Sequence, residues 1–133
     1  MRSMPKPTVV VAGLGDTGIL VATRLARTCH VVAVTTRPGL VSGQELGVRL
    51  TDPQRWRQYY FVPVERFRRL DCVDIRHGRV TAVDVGGSTV HVRRADGASE
   101  VVAYDAFVIA TGVTNGFWRD DTVDPPTSTA VTR

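Results

Sequence analysis

At 133 residues, with 43% apolar and 23% charged side chains, the chain has the make-up of one folded domain with a real core, which excludes a mainly disordered polymer. Its net charge of +4 comes from arginines spread along the sequence, with Lys6 the single lysine. Arginine gathers at Arg55, Arg57, Arg66, Arg68 and Arg69, but Asp52, Glu65 and Asp71 interrupt the run and no nucleic-acid-binding motif accompanies it, so no nucleic-acid partner is expected.

Cys29 and Cys72 stand far apart and neither belongs to a C-x-x-C pair, so metal or dithiol chemistry has no local support. They read as core or half-buried thiols of a reducing cytoplasm. The apolar run at residues 9–14 is too short for a signal sequence or a membrane span, and a soluble cytoplasmic protein without a membrane span is the expectation.

Residues 1–7, with Pro5 and Pro7, read as a flexible lead-in. The β-branched run at 8–12 predicts a parallel strand buried on both faces, ending at Gly13. Residues 17–28 show helical spacing, with Gly18, Val21, Ala22, Leu25 and Ala26 on one face and Arg24 and Arg27 directed outward. A second strand at 30–34 leads to Thr35, Thr36 and Arg37 and then to the turn signal Pro38-Gly39. Strand, helix and strand make one right-handed βαβ unit.

Between residues 40 and 70 the periodicity weakens. Pro53 can open a helical turn, and Trp56, Tyr59, Tyr60 and Phe61 form an aromatic group, so a long connection with one or two short helices is expected. Alternation returns at 76–85, Gly86-Gly87 marks a hairpin turn, and strands at 88–94 and 100–103 follow on either side of Asp96-Gly97. A last buried strand at 106–110 ends in Thr111-Gly112. The segment 119–133, with Pro125-Pro126 and little apolar periodicity, reads as a mobile tail.

Gly13-Leu14-Gly15-Asp16-Thr17-Gly18 is a complete G-x-G-x-x-G between a predicted strand and a predicted helix, the context that gives this motif meaning. The first glycine permits a tight turn, the second lets the backbone approach a pyrophosphate, and the third lets helix and strand pack closely. Asp16 reads as a cap of the helix N-terminus. The expected fold is α/β, a Rossmann-like βαβ parallel sheet with an antiparallel three-stranded β-meander. The ribose-binding acid that usually ends the second strand is replaced by Thr35 and Thr36, whose hydroxyls could substitute for it. Arg37 beside them either meets a 2′-phosphate, which favours NADP, or sits in solvent.

The glycine motif, the meander and the tract Tyr104-Asp105-Ala106-Phe107-Val108-Ile109-Ala110-Thr111-Gly112 together resemble the N-terminal FAD-binding portion of the pyridine nucleotide-disulfide oxidoreductase superfamily. Within it the likeness is to the branch of type II NADH dehydrogenases and apoptosis-inducing-factor-like proteins. It covers roughly residues 8–118 and implies FAD as cofactor, held by Gly13, Leu14, Gly15, Asp16, Thr17, Gly18, Thr35, Thr36, Arg37, Thr111 and Gly112. It also implies NAD(P)H as co-substrate of a complete protein that passes hydride through flavin to a quinone or other small acceptor. Such proteins continue into an NAD(P)H-binding domain, so the chain reads as an isolated, truncated first segment that is inactive alone. The redox cysteine pair of the disulfide reductases has no counterpart at residues 37–45.

No catalytic residue emerges from the sequence. His30, His77 and His91 are isolated and read as structural, and no metal-ligand spacing is visible. The aromatic group at 56–61 either covers a flavin ring or anchors the core. Phe117 and Trp118, if left exposed, would make an adhesive patch through which the chain could form a homo-oligomer. A minimal NADP-binding module and a non-catalytic remnant mediating association remain alternatives to the FAD segment.

Overall fold

The computed structural model describes residues 4–41 and 46–112; the expected tail, Phe117, Trp118 and the first three residues of the lead-in lie outside the described residues. Valine dominates the first strands because both of their faces are covered. β1 (Thr8–Ala12) and β2 (His30–Thr35) pair in parallel, with Val10 opposite Val32. Successive side chains of a strand point to opposite faces. Val9, Val11, Val31 and Ala33 therefore enter one apolar cluster with Leu14, Ala22, Val64, Leu70 and Val73, while Val10, Val32 and Val34 enter a second with Val90 and Val92. Each fully buried valine contributes roughly 1.5–3 kcal/mol toward offsetting chain entropy.

α1 (Asp16–Leu25) covers the first face through buried Gly18 and Ala22, with Ile19, Val21 and Leu25 packed beside them and Arg24 and Arg27 exposed. The helix starts one residue before the expected 17–28 and gives way to turns after Leu25, whose carbonyl accepts from the Thr28 and Cys29 amides at 3.0 and 2.8 Å. Gly15 holds the N-cap position and no side chain caps the helix, so the capping role expected of Asp16 is corrected. Asp16 is instead the first helical residue, where its carboxylate meets the positive end of the helix dipole.

The connection after β2 is more ordered than its sequence suggests. β3 (Gly39–Val41) and β4 (Phe61–Pro63) pair as a two-stranded antiparallel sheet, with α2 (Leu46–Thr51) and α3 (Pro53–Tyr59) between them in sequence. Three-residue strands are too short to carry a periodic signature. Pro53 does open α3, and the Arg55 amide donates to Asp52 Oδ1 at 3.1 Å. Two 3-10 turns, Val64–Arg66 and Arg68–Leu70, then set Val64 and Leu70 into the core. The Trp56 and Phe61 rings lie 6.2 Å apart, but α3 buries none of its residues and Tyr59 is 65% exposed. The aromatic group is therefore not a core anchor. Cys72 is exposed, against the expectation of burial, while Cys29 is half-buried.

β5 (Asp74–Asp84), β6 (Thr89–Arg94) and β7 (Ser99–Ala103) form the antiparallel meander, and β8 (Ala106–Ile109) returns parallel to β1. The meander is continuous with the parallel sheet because β5 serves both. Residues 74–77 pair in parallel with β2, and from Gly78 onward the same strand pairs with β6. One six-stranded sheet results, in the order β7-β6-β5-β2-β1-β8. Val90 and Val92 of β6 join Val10, Val32 and Val34 of the parallel strands in one cluster, which supplies the second face with its cover.

Polar contacts pin the ends of this sheet. Arg76 on β5 bonds Asp74, and its Nε lies 3.1 Å from Glu100 Oε1 on β7. The hydrogen bond to Asp74 holds the Arg76 pKa above its ordinary value, while burial pulls the other way. Asp105 clasps the start of β1, its Oδ2 accepting from the Thr8 amide at 2.7 Å and its own amide donating to the Thr8 carbonyl at 2.8 Å. Among the described residues no helix is long and apolar enough to cross a membrane.

The change of partner along β5 depends on Gly78, where a Cβ would run into the carbonyl oxygen of Arg93. Gly78→Ala is expected to lower unfolding free energy in urea by about 1–3 kcal/mol, the cost of overpacking. Gly86→Ala, at an open turn position, should change it by no more than about 0.5 kcal/mol. Equal midpoints for the two variants would contradict the role given to Gly78.

Candidate functional site

β1 runs into Gly13, and two hydrogen bonds tie this end of the strand to its neighbours. The Gly13 amide donates to the Val34 carbonyl of β2 at 2.7 Å, and the Ala110 amide donates to the Ala12 carbonyl at 2.8 Å. Gly13 adopts φ +97°, and a Cβ there would strike the Ala110 carbonyl oxygen, so conformation and space both require glycine. Gly18 fits as closely: a Cβ on it would meet the Gly13 carbonyl, which is how α1 comes to lie against the strand. Gly15 is different, because a Cβ built there meets nothing within 4 Å.

Two of the three glycines therefore serve packing, and Gly15 leaves open space above the loop. The Ile19 amide donates to the Gly15 carbonyl at 2.9 Å, the first bond of α1. Amides before it have no intrahelical acceptor by helix geometry. They carry the positive end of the helix dipole and form a surface suited to an anion.

This loop borders an open cleft of about 740 Å³ beyond the carboxyl ends of β1, β2 and β8. From β1 the chain moves to β2 and β5 on one side and returns as β8 on the other, so the cleft lies where the winding reverses. Open α/β sheets bind ligands at that crevice, and the volume falls in the usual range for small molecules. Gly13, Leu14, Gly15, Asp16 and Thr17 form one wall, Thr35, Thr36 and Arg37 another, and Thr111 and Gly112 a third. The structure thus assembles every residue singled out in the sequence except Gly18, which stands behind Gly13.

The threonines at the end of β2 have separate positions. Thr35 is 4% exposed, and its hydroxyl donates to the Arg37 carbonyl at 3.1 Å and accepts from the Arg37 amide at 3.2 Å. It closes a local turn of the kind hydroxyl side chains favour. Thr36 and Arg37 are exposed on that turn.

Sequence reasoning missed the contribution of Gly39 and Leu40 from β3 and of Gly78, Arg79 and Val80 from β5. The isolated Gly78 within an alternating strand was the available signal, since such a glycine marks close backbone approach. Trp56, Tyr59, Tyr60 and Phe61 do not line this cleft. Among the described residues no group of His, Cys, Asp and Glu is placed to hold a metal ion.

No protein-family model matches the chain, and no curated protein matches it significantly. Solved structures do match its fold. NDH2 of Plasmodium falciparum, determined with NADH, superposes with a TM-score of 0.71 at 16% identity, over 95% of this chain and 28% of that one. Sulfide:quinone oxidoreductase of Aquifex aeolicus gives 0.62 at 20% identity, over 95% and 32%. Water-forming NADH oxidase of Lactobacillus brevis, bound to NADH, gives 0.61 at 22% identity, over 86% and 28%. The chain thus spans no more than 32% of the length of these three structures, and the likeness is one of fold.

The glycine assignments separate in stability measurements. Gly15→Ser is expected to leave unfolding free energy within about 0.5 kcal/mol, since serine is a good N-cap residue and the space is open. Gly18→Ser should cost about 2–3 kcal/mol or more through overpacking against Gly13. Comparable losses from both would show that Gly15 also serves packing.

Proposed function

We propose that this chain is the FAD-binding segment of an NAD(P)H-dependent flavin oxidoreductase, with residues 8–118 as the cofactor-binding unit. The observation that carries the reading is the open space over Gly15, set beside the N-terminus of α1 in a cleft at the winding reversal and faced by the Thr111-Gly112 turn. A pyrophosphate needs that combination of close backbone approach, convergent amides and a positive dipole end.

Loop and helix amides from Leu14 to Gly18 would bind the pyrophosphate, the Gly13 amide being engaged by the Val34 carbonyl. Thr36 would offer its hydroxyl to the ribose in place of a carboxylate, with Thr35 holding the turn that presents it. When bound, the flavin supplies the capacity to accept and release hydride, and the protein supplies placement. The names of the matching structures support the direction of transfer. NDH2 and NADH oxidase hold NADH, and sulfide:quinone oxidoreductase is named for a quinone. A type II NADH dehydrogenase-like or apoptosis-inducing-factor-like reaction, from NAD(P)H through flavin to a quinone or other small acceptor, follows as the finer reading. The described cleft is one dinucleotide site, and hydride transfer requires a second for the nicotinamide donor, so the chain alone should not turn over.

Titrating FAD into the purified chain should give saturable one-to-one quenching of flavin fluorescence, weakened about tenfold or more in Gly15→Ser. Folded protein that shows no saturable FAD binding would sink the proposal. With FAD and NADH supplied, dye reduction by the chain should not exceed that of free FAD; turnover above that level would contradict its incompetence alone.

A further inference from the structure

The six-stranded sheet ends on one side at β7, and no other described strand covers that edge. Two inward bonds fix the direction of its free backbone groups. The Tyr104 amide donates to the Ser88 carbonyl at 2.9 Å, and the Ala98 carbonyl accepts from the Arg94 amide at 2.7 Å. Backbone groups of successive strand residues point to alternate sides, so Glu100 and Val102 bond toward β6 while Ser99, Val101 and Ala103 aim N–H and C=O outward. Edge strands are commonly blunted by lysine, proline or a bulge. β7 has none of these: its ladder to β6 runs without a register shift, and its one charge, Glu100, is turned inward, with Oε1 3.1 Å from Arg76 Nε. Val101 stands on the outer face, 59% exposed and paired with His91.

We propose that β7 is the dimer interface of this chain: the β7 edges of two copies pair antiparallel about a twofold axis at Val101, joining two six-stranded sheets into one. The axis sets Val101 opposite the partner's Val101, Ser99 opposite the partner's Ala103 and Glu100 opposite the partner's Val102. A twofold contact must be self-complementary, and this strand is. The three outward-facing residues exchange about six backbone hydrogen bonds with their counterparts, and no like charges are opposed. A register centred on Glu100 would set carboxylate against carboxylate. Because Ser99 pairs with Arg93 and Ala103 with Thr89, which pairs with Asp84, the basic end of each outer face meets the acidic end of the other. The opposite edge, β8, has four residues and borders the cleft, so pairing there would crowd the ligand site. Five paired residues bury less than the roughly 800 Å² per partner of a standard interface, so the dimer is a weak one. The inference is independent of what the cleft binds.

Sedimentation velocity of the 133-residue chain tests the pairing, under reducing conditions that keep Cys29 and Cys72 from cross-linking. The wild-type coefficient should rise from the monomer value toward that of a dimer between about 10 µM and 1 mM, and exchange of the Val101 and Ala103 amides should slow over the same range. V101K sets ammonium opposite ammonium and should weaken association about tenfold or more. V101P removes an outward N–H, which an edge strand tolerates, and should abolish association. V101K mixed with V101E should associate more strongly than either alone, because the axis makes the two positions direct neighbours; a folding defect cannot produce that rescue. A wild-type chain that stays monomeric overturns the inference, and protection of those amides at every concentration would then assign the edge to the chain's own later residues. So does a dimer that V101K and V101P leave intact, which would place the interface elsewhere, or a mixture no more associated than its components.

Discussion

The carbonyl of Gly13 lies so close to Gly18 that no side chain fits between them, and the Ala110 carbonyl likewise leaves no room for a Cβ on Gly13. Three elements, β1, α1 and the end of β8, therefore meet at one backbone junction with no side chain acting as spacer. The rest of the site depends on that contact. It fixes where the amides of the first helical turn point, and it sets Thr111 and Gly112 across the cleft from the glycine loop. Packing on both faces of the parallel strands holds the junction rigid, since Val11 and Val10 enter opposite clusters from neighbouring positions of the same strand.

A second constraint gives the cleft its remaining wall. β5 leaves β2 at His77 and takes up β6 from Gly78, which folds the meander over the second face and turns Arg79 and Val80 toward the site. The strand that completes the parallel sheet is thereby also a binding element. The cleft combines a wall of main-chain amides, a turn held by Thr35, and an arginine-bearing wall, each supplied by a different crossover of the chain. The edge strand β8 leaves Ile109 73% exposed at the cleft margin, where it adds to the apolar lining supplied by Leu14, Leu40 and Val80.

Much of this was legible in the sequence because the decisive residues are local. The run at 8–12 could only be a strand covered on both sides, and the glycine spacing by itself locates the loop. The meander was visible as alternation broken by Gly86-Gly87 and Asp96-Gly97. What could not be read depends on long-range pairing. Nothing in residues 74–77 announces that they pair with β2, and β3 and β4 are too short to leave a pattern. Asp16 looked like a cap because aspartate favours that position, yet the helix starts one residue earlier, with Gly15 at the cap. Residue type left the 56–61 aromatics open between covering a flavin and anchoring the core, whereas α3 buries neither Trp56 nor Tyr59 and none of the four lines the cleft.

The central claim is that a dinucleotide lies on the Gly13 to Gly18 loop and spans the cleft to Thr36 and Thr111-Gly112. Titrating FAD into the isotope-labelled chain while following backbone amide resonances tests it most directly. The account predicts that the largest shifts fall on Gly13, Gly15, Asp16, Thr17 and Gly18, with Thr36, Thr111 and Gly112 moving at the same ligand concentration. Shifts concentrated instead on α3 and the outer face of the meander, with the glycine loop unmoved, would contradict it.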